Sequence, residues 1–276
     1  MRDRQAPARD QPALSVILPS YRAGDLARES TERLASALSE SGLTWEIIVV
    51  DDGGATPSTE TQHGVNGIVR SISLPANRGK GAAVREGMRS ARGAVRVFTD
   101  IDLPYGTASI LLVESLIRTR KLHIVIGDRT FPQSRYAADL PAARRLASRA
   151  FSQLTATFVT GGFFDTQCGL KGFRGDVADA LFGLQKLERF AFDVELIYLA
   201  LVYGLEIKRI PVTLEANRTS SVNLVRDSLR TIVDLARLRL NRLRGDYDSP
   251  VLADLVAREC ADAKGEQAAR REEAQR

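Results

Sequence analysis

Short runs rich in Val and Ile alternate along the first half of the chain with longer stretches in which apolar residues recur every three or four positions. The runs Leu14–Leu18, Glu46–Val50, Ile68–Leu74, Ala94–Thr99 and Leu122–Ile126 predict mostly buried strands. Between them the spacing predicts helices over Asp25–Ser41, Lys80–Ser90 and Thr107–Arg120, each bounded by Gly, Asn, Asp or Ser. Regular alternation of strand and helix implies an α/β fold on one mostly parallel, Rossmann-like sheet flanked by helices, with right-handed crossovers. After Asp128 the rhythm changes to helices over Pro141–Phe158, Asp176–Leu184 and Phe192–Tyr203 and a strand over Glu206–Val212, which should complete the sheet. Ser221–Arg244 reads as one long helix, and Ser249–Arg276, poor in large apolar residues beyond Leu255, as a flexible tail. The expected division is a disordered N-terminus (1–13), a main α/β domain (14–215), a basic amphipathic helix (216–248) and the tail (249–276).

Composition narrows this picture only in places. With 276 residues, 44% hydrophobic and 26% charged, the chain is neither disordered nor fibrous and can bury a sizeable core. Its net charge of +5 favours anionic partners. From Arg218 to Arg244 seven arginines face two aspartates, a local excess equal to that whole charge. In the same stretch Leu224, Val225, Leu229, Ile232, Val233, Ala236, Leu240 and Leu243 recur at helical spacing. Such a helix either lies in the headgroup region of an anionic membrane surface or packs on the domain or on a second subunit with its arginines solvated. No aromatic stacking residues accompany the arginines, so nucleic acid is not expected. Cys168, Cys260, His63 and His123 match no zinc spacing. Met1–Pro12 lacks the apolar core of a signal peptide, and Asp193 and Glu195 interrupt the best apolar run, so a cytoplasmic protein with at most peripheral membrane contact is expected.

In an open parallel sheet, ligands bind beyond the carboxyl ends of the strands. Three unusual groups follow predicted strands: Pro19-Ser20-Tyr21-Arg22, Asp51-Asp52-Gly53-Gly54 and Asp100-Ile101-Asp102. The last is either a strand-terminating turn with solvated carboxylates or a pair of hard oxygen donors for Mg²⁺ or Mn²⁺ on a diphosphate. Asp51 and Asp52 belong either to ordinary Asp-Gly turn chemistry or to a nucleoside site, where a carboxylate accepts from a base N–H or ribose hydroxyl. Asn77-Arg78-Gly79-Lys80-Gly81 opens a helix and is either an anion nest or a capped helix with a solvated Lys80; it is neither a Walker A loop nor Gly-x-Gly-x-x-Gly.

In combination, Leu14–Tyr21, Val49–Gly53, Asn77–Ala83 and Thr99–Leu103 resemble family 2 glycosyltransferases. Gly127-Asp128-Arg129, Asp165–Phe173 and Arg189–Glu195 resemble the branch of dolichyl-phosphate glucose and dolichyl-phosphate mannose synthases, and Thr166–Lys171 looks closest to the glucose enzymes. The resemblance spans Leu14 to Arg244 and implies a GT-A fold, a nucleoside-diphosphate sugar donor such as UDP-glucose or GDP-mannose, a divalent metal and inversion at the anomeric carbon. By position it implies that Pro19, Tyr21, Asp51 and Asp52 with Lys80 bind the nucleotide and that Asp100 and Asp102 hold the metal. It also implies that Arg129, Arg144, Arg145 and Ser148 meet donor and acceptor phosphates and that Gln167 and Lys171 border the sugar. Pro104 stands where many mannosyl members have Gln, so a third metal ligand is missing or replaced by water. A polyprenyl phosphate acceptor is its own nucleophile. The alternative, a soluble enzyme acting on a hydroxyl of a small molecule or saccharide, needs a base, for which Asp193 and Glu195 are the candidates. Two residues apart on a helix, at most one of them should face the site.

Overall fold

The structure, a computed structural model, describes residues 11–54, 62–136, 165–215 and 224–274. The predicted helix Pro141–Phe158, with Arg144, Arg145 and Ser148, lies outside the described residues. Strands β1 (Leu14–Ser20), β2 (Trp45–Asp51), β3 (Gln62–Gly64), β4 (Gly67–Ser73), β5 (Val95–Phe98), β6 (Ile124–Asp128), β8 (Lys171–Arg174) and β9 (Ile207–Pro211) form one sheet in the order β3-β4-β2-β1-β5-β8-β6-β9. A short parallel pair, β7 (Arg135–Tyr136) and β10 (Thr213–Leu214), stands apart. The helices are α1 (Asp25–Glu40), α2 (Lys80–Ser90), α3 (Gly106–Arg120), α4 (Gly175–Leu184), α5 (Phe192–Val202), α6 (Leu224–Leu243) and α7 (Pro250–Ala274).

Alternate residues of each central strand feed the two faces of the sheet, as the two-residue side-chain period requires. On β1, Val16 and Leu18 pack with Leu34 and Leu38 of α1 and Val113 of α3, while Ile17 joins Val84 of α2, Phe192 of α5 and Leu238 of α6. Both faces are covered, which explains why β1 and β2 read as nearly continuous apolar runs.

Two strands break the parallel pattern: β3, antiparallel to β4 at the edge, and β8 inside the sheet. β8 lies antiparallel between β5 and β6, with Lys171 opposite Phe98 and Ile126. An antiparallel strand presents its first residue where its parallel neighbours present their last. Residues 165–171 therefore arrive at the same sheet edge as Asp100 after β5 and Arg129 after β6, although the sequence separates them by dozens of positions.

The C-terminal reading needs two corrections. The segment expected to be a flexible tail is helical as α7, since its Ala, Glu and Arg are strong helix formers. Its Leu252 is buried, and Leu255 and Val256 pack on the core beside it. Nor is α6 an appended unit: Leu235 and Leu238 join the same core as Ile17 and Phe98. Among the described residues no helix is long and apolar enough to cross a membrane.

Candidate active site

The carboxyl edge of the sheet gathers a chain of alternating charges. Lys80 Nζ, at the start of α2, lies 2.5 Å from Asp100 Oδ1. Lys171 Nζ, wholly buried at the start of β8, lies 2.5 Å from Asp193 Oδ1 and donates to the Cys168 carbonyl at 2.6 Å. The same ammonium sits 5.4 Å from the centroid of the Phe98 ring. Burial presses the Lys80 ammonium toward neutrality, but Asp100 and Asp193 outweigh it and hold its pKa above the ordinary lysine value. Burial holds the Asp193 carboxyl above the usual carboxylate range against the pull of Lys171 and Lys80.

Asp100 opens a tight turn, closed by the Leu103 amide donating to the Asp100 carbonyl at 2.9 Å, and Asp102 lies within it. A side chain at Gly169 would put its Cβ 2.1 Å from Asp100 Oδ2, so this glycine is what lets the loop before β8 press against the carboxylate. Two hard carboxylates in one turn, one already facing the Lys80 ammonium, fit Mg²⁺ or Mn²⁺, which take their remaining ligands from water and phosphate oxygens. Among the described residues no group of three His, Cys, Asp or Glu forms a metal cage, and Pro104 supplies no side-chain donor.

Arg129, just past β6, is clamped by Asp165 in a bidentate pair, Nε to Oδ2 at 3.0 Å and Nη2 to Oδ1 at 2.8 Å, while its amide donates to Oδ2 at 2.7 Å. Burial alone would raise the Asp165 pKa; the hydrogen bonds and charge of Arg129 outweigh it and hold the carboxyl below its ordinary value. Burial likewise presses on Arg129, and the Asp165 pair more than offsets it. Tyr105, buried after the Asp100 turn, lies beside Cys168, and burial holds its phenol well above the ordinary tyrosine range.

Several residues singled out in the sequence take other parts. Asp52 does face the site edge, but its oxygens accept the amides of Arg78 at 2.8 Å and Gly79 at 2.7 Å. The N-terminus of α2 thus already holds an anion, the protein's own, which corrects the reading of that loop as an open anion nest. Asp51 accepts from the Gly54 amide at 3.2 Å in the expected Asp-Gly turn. Tyr21 is 46% exposed with the Arg22 guanidinium 5.1 Å from its ring centroid, and Pro19 pairs in register with Val50. Gln167 is partly exposed beside Cys168.

Glu195 corrects a further expectation. Both its oxygens are committed away from the charge chain, to the amides of Lys186 and Leu187 at 2.9 Å each and to the Tyr247 hydroxyl at 2.5 Å. It ties the loop between α4 and α5 to the segment after α6 and is no candidate base. Of the two α5 acids only Asp193 faces the site, as the angular offset of i and i+2 requires. Tyr105 and Asp165 were not given roles by sequence reasoning. A Pro-Tyr after the Asp-x-Asp and an Asp at the head of the Thr166–Lys171 stretch were the available signals.

Comparison with known proteins bears on the family and the fold. The model of glycosyl transferase family 2 matches residues 15–182. The dolichyl-phosphate beta-glucosyltransferase of Saccharomyces cerevisiae is 30% identical over 257 residues, 85% of this chain and 76% of that protein. The protein of the same name from Drosophila melanogaster is 37% identical over 216 residues, 69% of this chain and 64% of that one. Among solved structures, glucosyl-3-phosphoglycerate synthase from Mycobacterium tuberculosis in complex with UDP is similar with a TM-score of 0.60 at 18% identity, covering 82% of this chain and 80% of the other. Its complex with Mn²⁺, UDP and glucosyl-3-phosphoglycerate gives a TM-score of 0.57 at 18% identity, covering 81% and 80%. The likeness establishes a shared GT-A fold.

Proposed function

The chain belongs to glycosyl transferase family 2, and from that premise we propose that it is an inverting, metal-assisted enzyme transferring a hexose from a nucleoside diphosphate to the phosphate of a polyprenyl or dolichyl lipid. Glucose from UDP-glucose is the favoured donor reading over mannose from GDP-mannose, because the relatives matched over most of the chain are named dolichyl-phosphate beta-glucosyltransferases. The enzyme works peripherally at the cytoplasmic face of the membrane, where its acceptor lies.

One observation carries the choice of acceptor: the carboxylates seen around the site are already bonded within the protein. Asp165 grips Arg129, Asp193 grips the buried Lys171, Asp100 meets Lys80, and Glu195 points elsewhere. A hydroxyl acceptor needs a base to take its proton. A phosphate monoester, with its second pKa near 6, is largely dianionic at neutral pH and needs none. Its oxygen attacks the anomeric carbon as the bond to the β-phosphate oxygen breaks, inverting that carbon and releasing the nucleoside diphosphate.

Asp100 and Asp102 would hold the Mg²⁺ or Mn²⁺ whose charge offsets that of the leaving diphosphate. Lys80 supplies a second positive charge beside Asp100, and Asp193 and Lys171 fix the wall behind it. Arg129, rigid in its clamp, offers a preorganised cation to phosphate oxygens. Asp52 positions the donor site by fastening Gly53 and the 76–79 loop together, where a Cβ on Gly53 would strike the Ala76 carbonyl carbon at 2.4 Å.

The test is transfer by the purified protein, with Mg²⁺ or Mn²⁺, from labelled UDP-glucose and GDP-mannose in parallel to a polyprenyl phosphate in detergent. A lipid-extractable product labelled from UDP-glucose is expected. Donor hydrolysis without a lipid product would overturn the acceptor, and labelling from GDP-mannose alone would overturn the sugar.

A further inference from the structure

Away from the charge chain, α6 and the loop between α4 and α5 enclose a cleft of about 650 Å³, within the size range of small-molecule sites. Five cations line it: Arg78, Lys186, Arg189, Arg230 and Arg237. The two lining carboxylates are already matched, Glu188 by Arg78 and by Arg85 at 2.9 Å, and Asp234 by Arg237 at 3.4 Å. Lys186, Arg189 and Arg230 form no ion pair among the described residues, Arg189 only adding its charge to the field at Asp234. A half-open concavity with such an excess of positive charge attracts an anion carrying more than one negative oxygen.

What surrounds the cleft says which anion. Along α6, Arg230, Val233, Arg237 and Leu240 fall on one stripe, opposite the buried Leu235 and Leu238. On that outward side Val233 is 52% and Leu240 44% exposed, and Leu243 next to the stripe is 85% exposed. Solvent-facing apolar residues alternating with arginines suit the boundary between headgroups and acyl chains. A soluble phosphate ester has no use for the apolar members of this stripe; a lipid does.

We propose that this cleft is a phosphate-binding site separate from the donor site, filled by the headgroup phosphate of an anionic membrane lipid while the exposed stripe of α6 rests on the bilayer. The inference rests on the peripheral-membrane part of the proposed function and on no part of the transfer chemistry. The cleft adjoins the donor site without sharing its ligands: Arg78 turns its side chain into the cleft, while its amide serves Asp52. Occupancy would thus seat the enzyme on the membrane with the 186–189 loop braced against the start of α2, where the Glu188 carbonyl accepts from the Ala82 amide at 2.9 Å.

The experiment is co-sedimentation of the full chain with phosphatidylglycerol-containing vesicles and with pure phosphatidylcholine vesicles. It compares the double variant Lys186→Gln with Arg230→Gln against a control of equal charge loss, Arg28→Gln with Arg258→Gln, both exposed surface arginines. Each cation at the membrane surface contributes roughly a fivefold factor in affinity, so the cleft pair should weaken binding to anionic vesicles by about 25-fold. The control pair should leave that binding within about twofold, since α1 and the middle of α7 are not part of the stripe. Hexose transfer in detergent should be unchanged by the cleft pair, and saturating UDP should leave vesicle binding unchanged. Equal losses in both pairs would reduce the effect to diffuse charge and overturn the cleft while leaving peripheral binding intact. Displacement by UDP would make the cleft part of the donor site and overturn it as well. Failure of the wild type to bind anionic vesicles would overturn both this inference and the peripheral reading. Binding of inorganic phosphate by calorimetry with no vesicle binding would replace the lipid by a soluble ligand.

Discussion

Gly169 shows how far a single residue sets the geometry of the charge chain. A methyl group there would stand 2.1 Å from Asp100 Oδ2 and 2.9 Å from its Cγ, so Gly169→Ala must swing the carboxylate out of its turn. We expect transfer to fall about a hundredfold, the usual cost of misplacing a reacting group by about 1 Å, with a stability loss of only about 1–3 kcal/mol. Gly183→Ala is the matched control: in α4 a Cβ would meet nothing within 4 Å, so the fold should gain about 0.5–1 kcal/mol and transfer should stay put. Equal activity in the two variants would remove Asp100 from the site. The Arg129–Asp165 clamp makes a prediction about pH. The folded Asp165 carboxyl titrates below its ordinary 3.8, so the pair's stabilisation is fully present above that value and disappears as pH falls through the lower, folded pKa. With Arg129 31% exposed, Asp165→Asn should cost about 3 kcal/mol at neutral pH, the low end for breaking a buried pair. Urea titrations at several pH values should show the gap between mutant and wild type closing only on the acid side; a constant gap would mean that packing, not charge, is lost.

At the scale of elements, what could be read in the sequence followed from period and punctuation. β1, β2, β4, β5, β6 and β9 and helices α1 to α6 lie where alternation and spacing placed strands and helices, because their apolar faces are each buried against the sheet or its helices. β8 was missed because Lys171-Gly172-Phe173-Arg174 has a charge at each end and no β-branched residue, so nothing local marks it as a strand. It is held in place by its neighbours on both sides, and burial of Lys171 depends on Asp193 from a distant helix. The candidate site was therefore half legible: the motifs after β1, β2 and β5 announced themselves by position, whereas Tyr105 and the Asp165 clamp acquire their partners only through the antiparallel insertion. Glu195 was legible only as one of two acids, since helix angle says that they diverge but not which one turns inward. Its bonds give the discriminating test. Tyr247→Phe removes one hydrogen bond to a charged group and should cost about 1.5–3 kcal/mol, and Glu195→Gln should destabilise by a similar amount. Neither should change kcat by more than a few-fold when assayed well below its melting temperature, and a large loss of kcat in Glu195→Gln alone would return it to the chemistry.

For the molecule as a whole, the consequence of the C-terminal helices is that the site is backed by chain more than 50 residues away in sequence. Glu259 on α7 reaches back to His123 beside β6 and to Arg174 at the end of β8, 2.5 Å from its Nη2. His123 accepts the Glu206 amide on Nδ1 at 2.9 Å, which leaves Nε2 to donate to Glu259. Tyr203 donates to the Tyr247 carbonyl at 2.7 Å and accepts from the Ser249 amide at 2.7 Å, so the turn into α7 is pinned to the end of α5, the helix that carries Asp193. Leu252 completes the same core that buries Phe98 and Phe192, an aromatic pair whose Phe98 ring faces the Lys171 ammonium. If α7 were a loose tail, ending the chain after Ser249 would leave stability unchanged. The packing predicts the opposite. Leu252→Ala should cost about 2–5 kcal/mol as a buried leucine truncation. Ending the chain after Ser249 should cost more than that, because the Glu259 pairs and the contacts of Leu255 and Val256 go with it. The loss should also reach the site, since α4 and β8, the strand that carries Lys171, both lose a neighbour. Thermal unfolding of the truncated chain, paired with hydrogen exchange at the amides of β8 and α4, reads both effects. Faster exchange there identifies α7 as the outer support of the Lys171–Asp193 pair, and exchange confined to residues near the new end would show that the catalytic half stands without it.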